Sequence, residues 1–200
     1  MGGMGQRDEP GDALPGDGRV AHVGRQADVT ITYLRQTSRP SLPPQPRPPR
    51  KLAILRAENP PAHFYRYLYD LVGRPWNWTS RRHLPDEELS KIIADPAVSL
   101  FVLYVDGVPG GMAEIDAAAA PIVEIRFFGL APEFIGAGLS RYFLANTIDL
   151  AWAANPSEVR IETCTLDHPA ALPLYQKFGF TVFDQRQGRV ELLADDEHGA

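Results

Sequence analysis

A single cysteine, Cys164, occurs in 200 residues. That scarcity excludes an internal disulfide framework and any metal site built on several thiolates, and it suits a reducing compartment. Histidine is sparse as well. None of His22, His63, His83, His168 and His198 stands at the i, i+4 spacing of a helical zinc motif, so no metal is expected. No apolar run approaches the roughly 20 residues that cross a bilayer, and no basic segment leads into an apolar one as an export signal would. The expectation is a cytoplasmic protein with no membrane partner. Clustered cations are also lacking. The formal charge is -5, with 20 basic residues against 25 acidic ones, whereas phosphate neutralisation needs a dense Lys/Arg block. Nucleic acid is therefore not the expected partner; a small or peptidic ligand is.

What is present is a core-forming composition, with 44% hydrophobic and 22% charged residues, in a length that suits one domain. Residues 1–26 stand apart. They are rich in Gly, Asp and Pro and lack apolar periodicity, so they cannot offset the entropy of ordering a backbone and read as a disordered tail. Residues 27–200 then form the domain, with its core over 52–193 and a Pro-rich segment at 41–50. That segment reads as a stiff connecting loop, with a polyproline recognition ligand as the alternative.

Alternation predicts a strand over 27–34, and apolar spacing predicts helices over 60–72, from Pro85 onward and over 139–153. In the third of these, Leu139, Phe143 and Leu150 fall on nearly one face. Val98–Val105 is rich in β-branched and aromatic residues and runs into Asp106-Gly107, a hairpin-turn signal that continues into a strand over 111–116. Further strands are predicted at Ile122–Leu130 and 159–164, then a helix ending near Phe178-Gly179. A terminal strand pair follows at 180–183 and 189–193. The fold class is α/β: a mixed, mostly antiparallel twisted sheet flanked by helices, with at least one crossover through a helix.

The segment Leu130-Ala-Pro-Glu-Phe-Ile-Gly136-Ala-Gly138-Leu-Ser140 joins a predicted strand directly to a helix amino terminus. Unpaired N–H groups and the helix dipole make such a junction an anion site, and glycines let the main chain approach a phosphate with no Cβ between. Glycines there also serve turning and packing alone. The third glycine of a dinucleotide fingerprint and the Gly-Lys-Ser/Thr of a P-loop are both missing.

In the order and spacing of its elements from Leu52 to Leu193, the chain resembles the GNAT superfamily of acyl-CoA-dependent N-acetyltransferases. Two motifs carry the resemblance. Leu130–Leu144 is similar to the family's acyl-CoA loop, Q/R-x-x-G-x-G/A, with Gly136 and Gly138 in place and Glu133 where Gln or Arg is usual. His168-Pro-Ala-Ala171-Leu-Pro-Leu-Tyr175-Gln-Lys-Phe-Gly179-Phe180 is similar to N-x-x-A-x-x-x-Y-x-x-x-G-F, with His168 replacing Asn and Pro173 as a second departure.

The resemblance implies that acetyl-CoA, or a close acyl-CoA, binds between splayed central strands and that a primary amine attacks its thioester directly. Implied diphosphate neighbours are Ile135, Gly136, Ala137, Gly138 and Leu139, with Ser140 and His168 also at the cofactor. A backbone N–H near Phe128, Gly129 or Leu130 would hold the developing oxyanion, with Gly129 marking a strand irregularity. Tyr175 would protonate the leaving sulfur, a task for a hydroxyl that stays neutral before reaction; the alternative is a core tyrosine. Glu124 would act as the base, with Glu114 as substitute, although Glu124 and Arg126 share a strand face and could form a structural pair. Trp76 and Trp78 would wall the acceptor side, or merely anchor their loop. A catalytically silent CoA-binding or protein-interaction module on the same fold is the competing function, motivated by Glu133, His168 and Pro173. A homodimer is compatible with all of this.

Overall fold

A computed structural model describes residues 25–193. Residues 1–24 and 194–200, which hold most of the expected tail and the end of the expected domain, lie outside the described residues. Seven strands form one sheet: β1 (Gln26–Gln36), β2 (Leu52–Arg56), β3 (Val98–Val105), β4 (Val108–Asp116), β5 (Ile122–Leu130), β6 (Glu158–Cys164) and β7 (Thr181–Glu191). Four helices accompany them: α1 (Ala62–Gly73), α2 (Asp86–Ile93), α3 (Leu139–Trp152) and α4 (Ala171–Lys177). The strand order is β2-β3-β4-β5-β6-β1-β7. Every neighbouring pair is antiparallel except β5 and β6, which are parallel and joined through α3.

The β3–β4 hairpin turns where its sequence signal lies, at Asp106 (φ 52°) and Gly107 (φ 98°). Both central residues need positive φ in such a two-residue turn. The Asp106 carboxylate accepts from Arg50 Nε at 2.8 Å and from the Lys51 N–H at 3.0 Å, tying the end of the Pro-rich segment to the hairpin.

One face of the sheet is covered by α1 and α2, where Tyr65, Leu68, Tyr69 and Val72 pack with Leu89 and Ile93 onto Leu100, Val102 and Met112. Leu71 is only half-buried, and two tyrosines, Tyr65 and Tyr69, take the core positions of α1. The other face carries α3 and α4, where Leu144, Ile148, Ala151 and Tyr175 meet Leu34, Val123, Ile125 and Ile161. Leu150 turns outward, 36% exposed, contrary to its expected place beside Leu139 and Phe143.

The carboxy-terminal segment differs from the predicted strand pair: β7 is one continuous strand along β1. Gly188 lies mid-strand opposite Val29, and a Cβ there would come 3.0 Å from Ile31, so this glycine makes room for a neighbour and does not mark a turn. β2 was not anticipated; it is a five-residue edge strand with one buried residue, Leu52, too short to show a period. Pro173 sits in the first turn of α4, because that helix starts at Ala171. An N–H is unneeded there, so the proline is tolerated. No helix among the described residues is long and apolar enough to cross a membrane.

Candidate functional site

The sheet opens between its two parallel strands. β5 and β6 are in register only from Ile122↔Glu158 to Ile125↔Ile161, yet β5 runs on to Leu130 and β6 to Cys164. Beyond Ile125, one edge of β5 has no strand partner, which leaves backbone N–H and C=O groups to be satisfied by something else. The gap widens into a cleft of about 720 Å³.

A bulge sets what β5 presents to this cleft. Register with β4 shifts between Glu114↔Phe127 and Ile115↔Ile125, so Arg126 is the extra residue. One added residue reverses the alternation of the strand beyond it. Ile125 belongs to the core under α3, whereas Phe127 packs with the α1 core and Phe128 again with the α3 side. The irregularity expected at Gly129 thus lies three residues earlier. Gly129 serves close approach: a Cβ there would meet Val72 at 2.5 Å.

At one end of the cleft, residues 135–138 carry β5 into α3. Gly136 and Gly138 have φ of 83° and 74°, and a Cβ on either would meet nothing within 4 Å. Their requirement is backbone conformation, since only glycine adopts these angles freely. Gly138 is the N-cap of α3 and supplies no side-chain cap, so the first N–H groups of a 14-residue helix are left open. Ile135, Gly136 and Ser140 border the cleft, while Ala137 and Gly138 are exposed beside it. Leu139 is buried in the core under α3, so it can offer only its backbone. Glu133 is exposed on the short 3-10 turn Pro132–Phe134 and does not border the cleft.

Phe128, Gly129, Leu130, His168 and Tyr175 complete this end. Tyr175 is 6% exposed, its ring edge-on to Phe128 at 6.4 Å and to Phe180 at 6.3 Å. Tyr175 borders the cleft, and its hydroxyl makes no hydrogen bond to another described residue. Burial, reinforced by the Asp167 carboxylate, pushes its pKa above that of a free tyrosine, so the hydroxyl stays protonated. His168 accepts the Ala170 N–H on Nδ1 at 3.0 Å and meets Trp76, which also borders the cleft, edge-on at 5.1 Å.

The opposite wall is the loop after α1. Trp76 and Trp78 both border the cleft. Trp78 is also an anchor, packed on Tyr69 and Phe127 at 5.5 and 5.1 Å and covering Gly73, where a Cβ would sit 2.4 Å from its ring. Asn77, at φ 55°, accepts the Leu193 N–H at 3.2 Å and so pins the end of β7 to this wall.

Neither expected base position faces the cleft. Glu124 lies where β5 and β6 are still paired, below the split; its carboxylate meets Arg126 at 3.3 Å and borders a separate shallow depression. Glu114 is fully buried, accepting from the Tyr65 hydroxyl and from Arg81 at 2.9 Å. That pair holds the loop after α1 from behind, and Arg81 also lies over the Phe127 ring at 5.6 Å. The cleft carboxylates are instead Glu162, Asp167 and Glu191. Glu162 is exposed on β6 just above the split and borders both the cleft and the depression that Glu124 lines; partial desolvation, then the nearby Glu124 charge, raises its pKa above the ordinary carboxylate value, with Arg126 opposing. Cys164 is a half-buried thiol whose pKa is raised by burial and then by Asp167, the reverse of what a nucleophile needs. Among the described residues no cluster of His, Cys, Asp and Glu could hold a metal.

Residues 50–180 match the model of the acetyltransferase (GNAT) family. No curated protein matches the chain in sequence. Among solved structures, a GCN5-related N-acetyltransferase from Sphaerobacter thermophilus superposes with a TM-score of 0.55 at 16% identity, over 82% of this chain and 51% of that one. A conserved protein of unknown function from Staphylococcus epidermidis gives 0.53 at 17% identity, over 84% and 64%. An aminoglycoside acetyltransferase from an uncultured soil metagenomic sample gives 0.52 at 20% identity, over 64% and 87%. At such identities the likeness is one of fold, and the chain spans only 64% of the Staphylococcus protein's length and 51% of the Sphaerobacter protein's.

Proposed function

Because the chain belongs to the GNAT acetyltransferase family, we propose that it transfers an acetyl or short acyl group from acyl-CoA to a primary amine in the cleft between β5 and β6. The observation that carries this is the break in the β5–β6 ladder after Ile125↔Ile161. It leaves an unpaired strand edge leading from a glycine turn at an uncapped helix start to Tyr175, a buried tyrosine that borders the cleft.

The residues present fit the donor. Open N–H groups at Gly138, Leu139 and Ser140 suit a diphosphate, aided by the helix dipole. The free edge of β5 over 126–130 suits an amide-bearing arm, which would extend the sheet as an added strand does. Acyl-CoA, when bound, supplies the thioester carbonyl and a thiolate leaving group. The chain supplies the rest. A backbone N–H in Phe128–Leu130 is free to stabilise negative charge on the carbonyl oxygen. The Tyr175 hydroxyl, kept protonated by burial, gives its proton to the departing sulfur. Glu162 Oε takes the proton of the incoming ammonium, the role expected of Glu124, because of these two glutamates on the split strand pair it is the one that borders the cleft. Trp76 and Trp78 form the acceptor wall and exclude water.

The test is release of free thiol from acetyl-CoA across a panel of amines, with the acetylated product identified by mass spectrometry. Amine-dependent release is expected, falling roughly 10- to 10³-fold in Tyr175→Phe while acetyl-CoA affinity stays within a few-fold. Tight acetyl-CoA binding with no amine-dependent release would establish the silent binding module instead.

A further inference from the structure

Tyr175 stands on a helix of seven residues, α4. A helix that short has no stability of its own, so whatever fastens it decides where its side chains lie. The fastening comes from β1. That strand ends before residue 50, where the match to the family begins, yet it lies inside the sheet between β6 and β7. It holds the segment carrying His168 and Tyr175 at both ends. At the near end, the Thr30 N–H donates to Thr165 Oγ1 at 3.3 Å and the Thr165 N–H to the Thr30 carbonyl at 3.2 Å. At the far end, Gln36 Nε2 donates to the carbonyl of Phe178, the C-cap of α4, at 2.8 Å.

Gln36 is 3% exposed and its amide is used twice, because Oε1 also accepts from the indole N–H of Trp152, the last residue of α3, at 2.8 Å. An indole can only donate and a carbonyl can only accept. The position therefore demands one acceptor and one donor at the end of the same neutral side chain. From Phe178 the path to Tyr175 is short. The N–H groups of Phe178 and Phe180 both donate to the Tyr175 carbonyl, at 3.0 and 3.1 Å. Gly179, at φ 89°, lies against Pro40 of the same amino-terminal segment, where a Cβ would come within 3.3 Å. Trp152, Tyr175, Phe178 and Phe180 pack in one core cluster with Leu34 of β1.

We propose that Gln36 is a positioning residue for acyl transfer. Through the Phe178 carbonyl it sets the direction of α4, and so the place of the Tyr175 side chain at the cleft. β1 is then part of the machinery although the family match does not reach it.

This inference rests on the transfer function, and its test separates the two. Gln36→Met keeps the length of the side chain and removes both hydrogen bonds. Turnover should fall roughly tenfold or more, as a small misplacement of a reacting group implies, with acetyl-CoA affinity by calorimetry within about threefold of wild type. In a Tyr175→Phe background the same substitution should cost less than about threefold, since no hydroxyl remains to be misplaced. Should Gln36→Met fail to fold, Gln36→Glu carries the same readout: ionised, it still accepts from Trp152 and loses only the bond to Phe178. Hydrogen exchange in the folded variant should quicken over 174–180 and stay unchanged in β3 and β4. Wild-type turnover in a folded variant, a loss that multiplies in full with that of Tyr175→Phe, or affinity lost in step with turnover would overturn the assignment. A wild-type chain with no amine-dependent thiol release would remove the transfer function, and the clamp on α4 would then stand on quickened exchange over 174–180 or fall on its absence.

Discussion

The base role proposed for Glu162, and expected of Glu124, turns on where the pairing of β5 with β6 stops. Glu124 stands beside Arg160 in the paired part of the sheet, whereas Glu162 is one residue past the last register pair on β6. That single step puts it on the open side of the split. Its pKa is raised, by partial desolvation first and by Glu124 second, so it stays protonated to higher pH than a free carboxylate. A raised carboxylate favours folding only below its unfolded pKa, and that contribution is lost as pH rises through the folded value. Glu162→Gln should therefore not destabilise the protein at neutral pH. Turnover should fall, most severely on the acid side, where the wild-type rate climbs as Glu162 ionises and the amine is fully protonated, and least at high pH, where the amine deprotonates by itself. Rates measured across pH check this; a variant with the wild-type profile would assign deprotonation to solvent. Tyr175 and His168 were legible from a motif with fixed spacing. Glu162 was not, because nothing in the residues of β6 says where its pairing with β5 stops.

At the scale of elements, the cleft wall formed by the loop after α1 depends on a buried charge cluster behind it. Glu114 on β4 has no exposure and holds both Tyr65 of α1 and Arg81 of the following loop. Burial and the Glu114 charge together raise the Tyr65 pKa, so that hydroxyl remains the donor. Removing one member of such a pair strands the other in a low-dielectric site, at a cost of about 3–5 kcal/mol. Glu114→Ala should lose stability on that scale in urea unfolding and loosen the loop carrying Trp76 and Trp78; a loss under about 1 kcal/mol would mean water reaches Arg81 readily. The elements themselves were unevenly legible. The bounds of β3 and β5 follow from β-branched runs and a turn signal, and the residue range of α3 was off by one at its end. β7 was split in two because a mid-strand glycine resembles a turn until its neighbour Ile31 is known. The Arg126 bulge left no local signature, since it is a property of the pairing with β4.

For the whole molecule, one parallel pair in an otherwise antiparallel sheet creates the site. The α3 crossover forces β5 and β6 to run side by side, and the twist that accumulates across a sheet is free to part them once the α3-side core no longer holds them together. The order of elements and the glycine-rich turn were readable in advance, and with them the general position of a cleft. The carboxylates that border the cleft were not, because they come from β6, from the loop before α4 and from the end of β7, segments far apart in sequence and united only by folding. The central claim is that the gap between β5 and β6 receives the acyl donor. Backbone hydrogen exchange, followed with and without saturating acetyl-CoA, tests it most directly. The account predicts slowed exchange at 126–130, 135–141 and 162–171, with α2 and β2 unchanged; protection confined to other segments, or none at saturation, would contradict it.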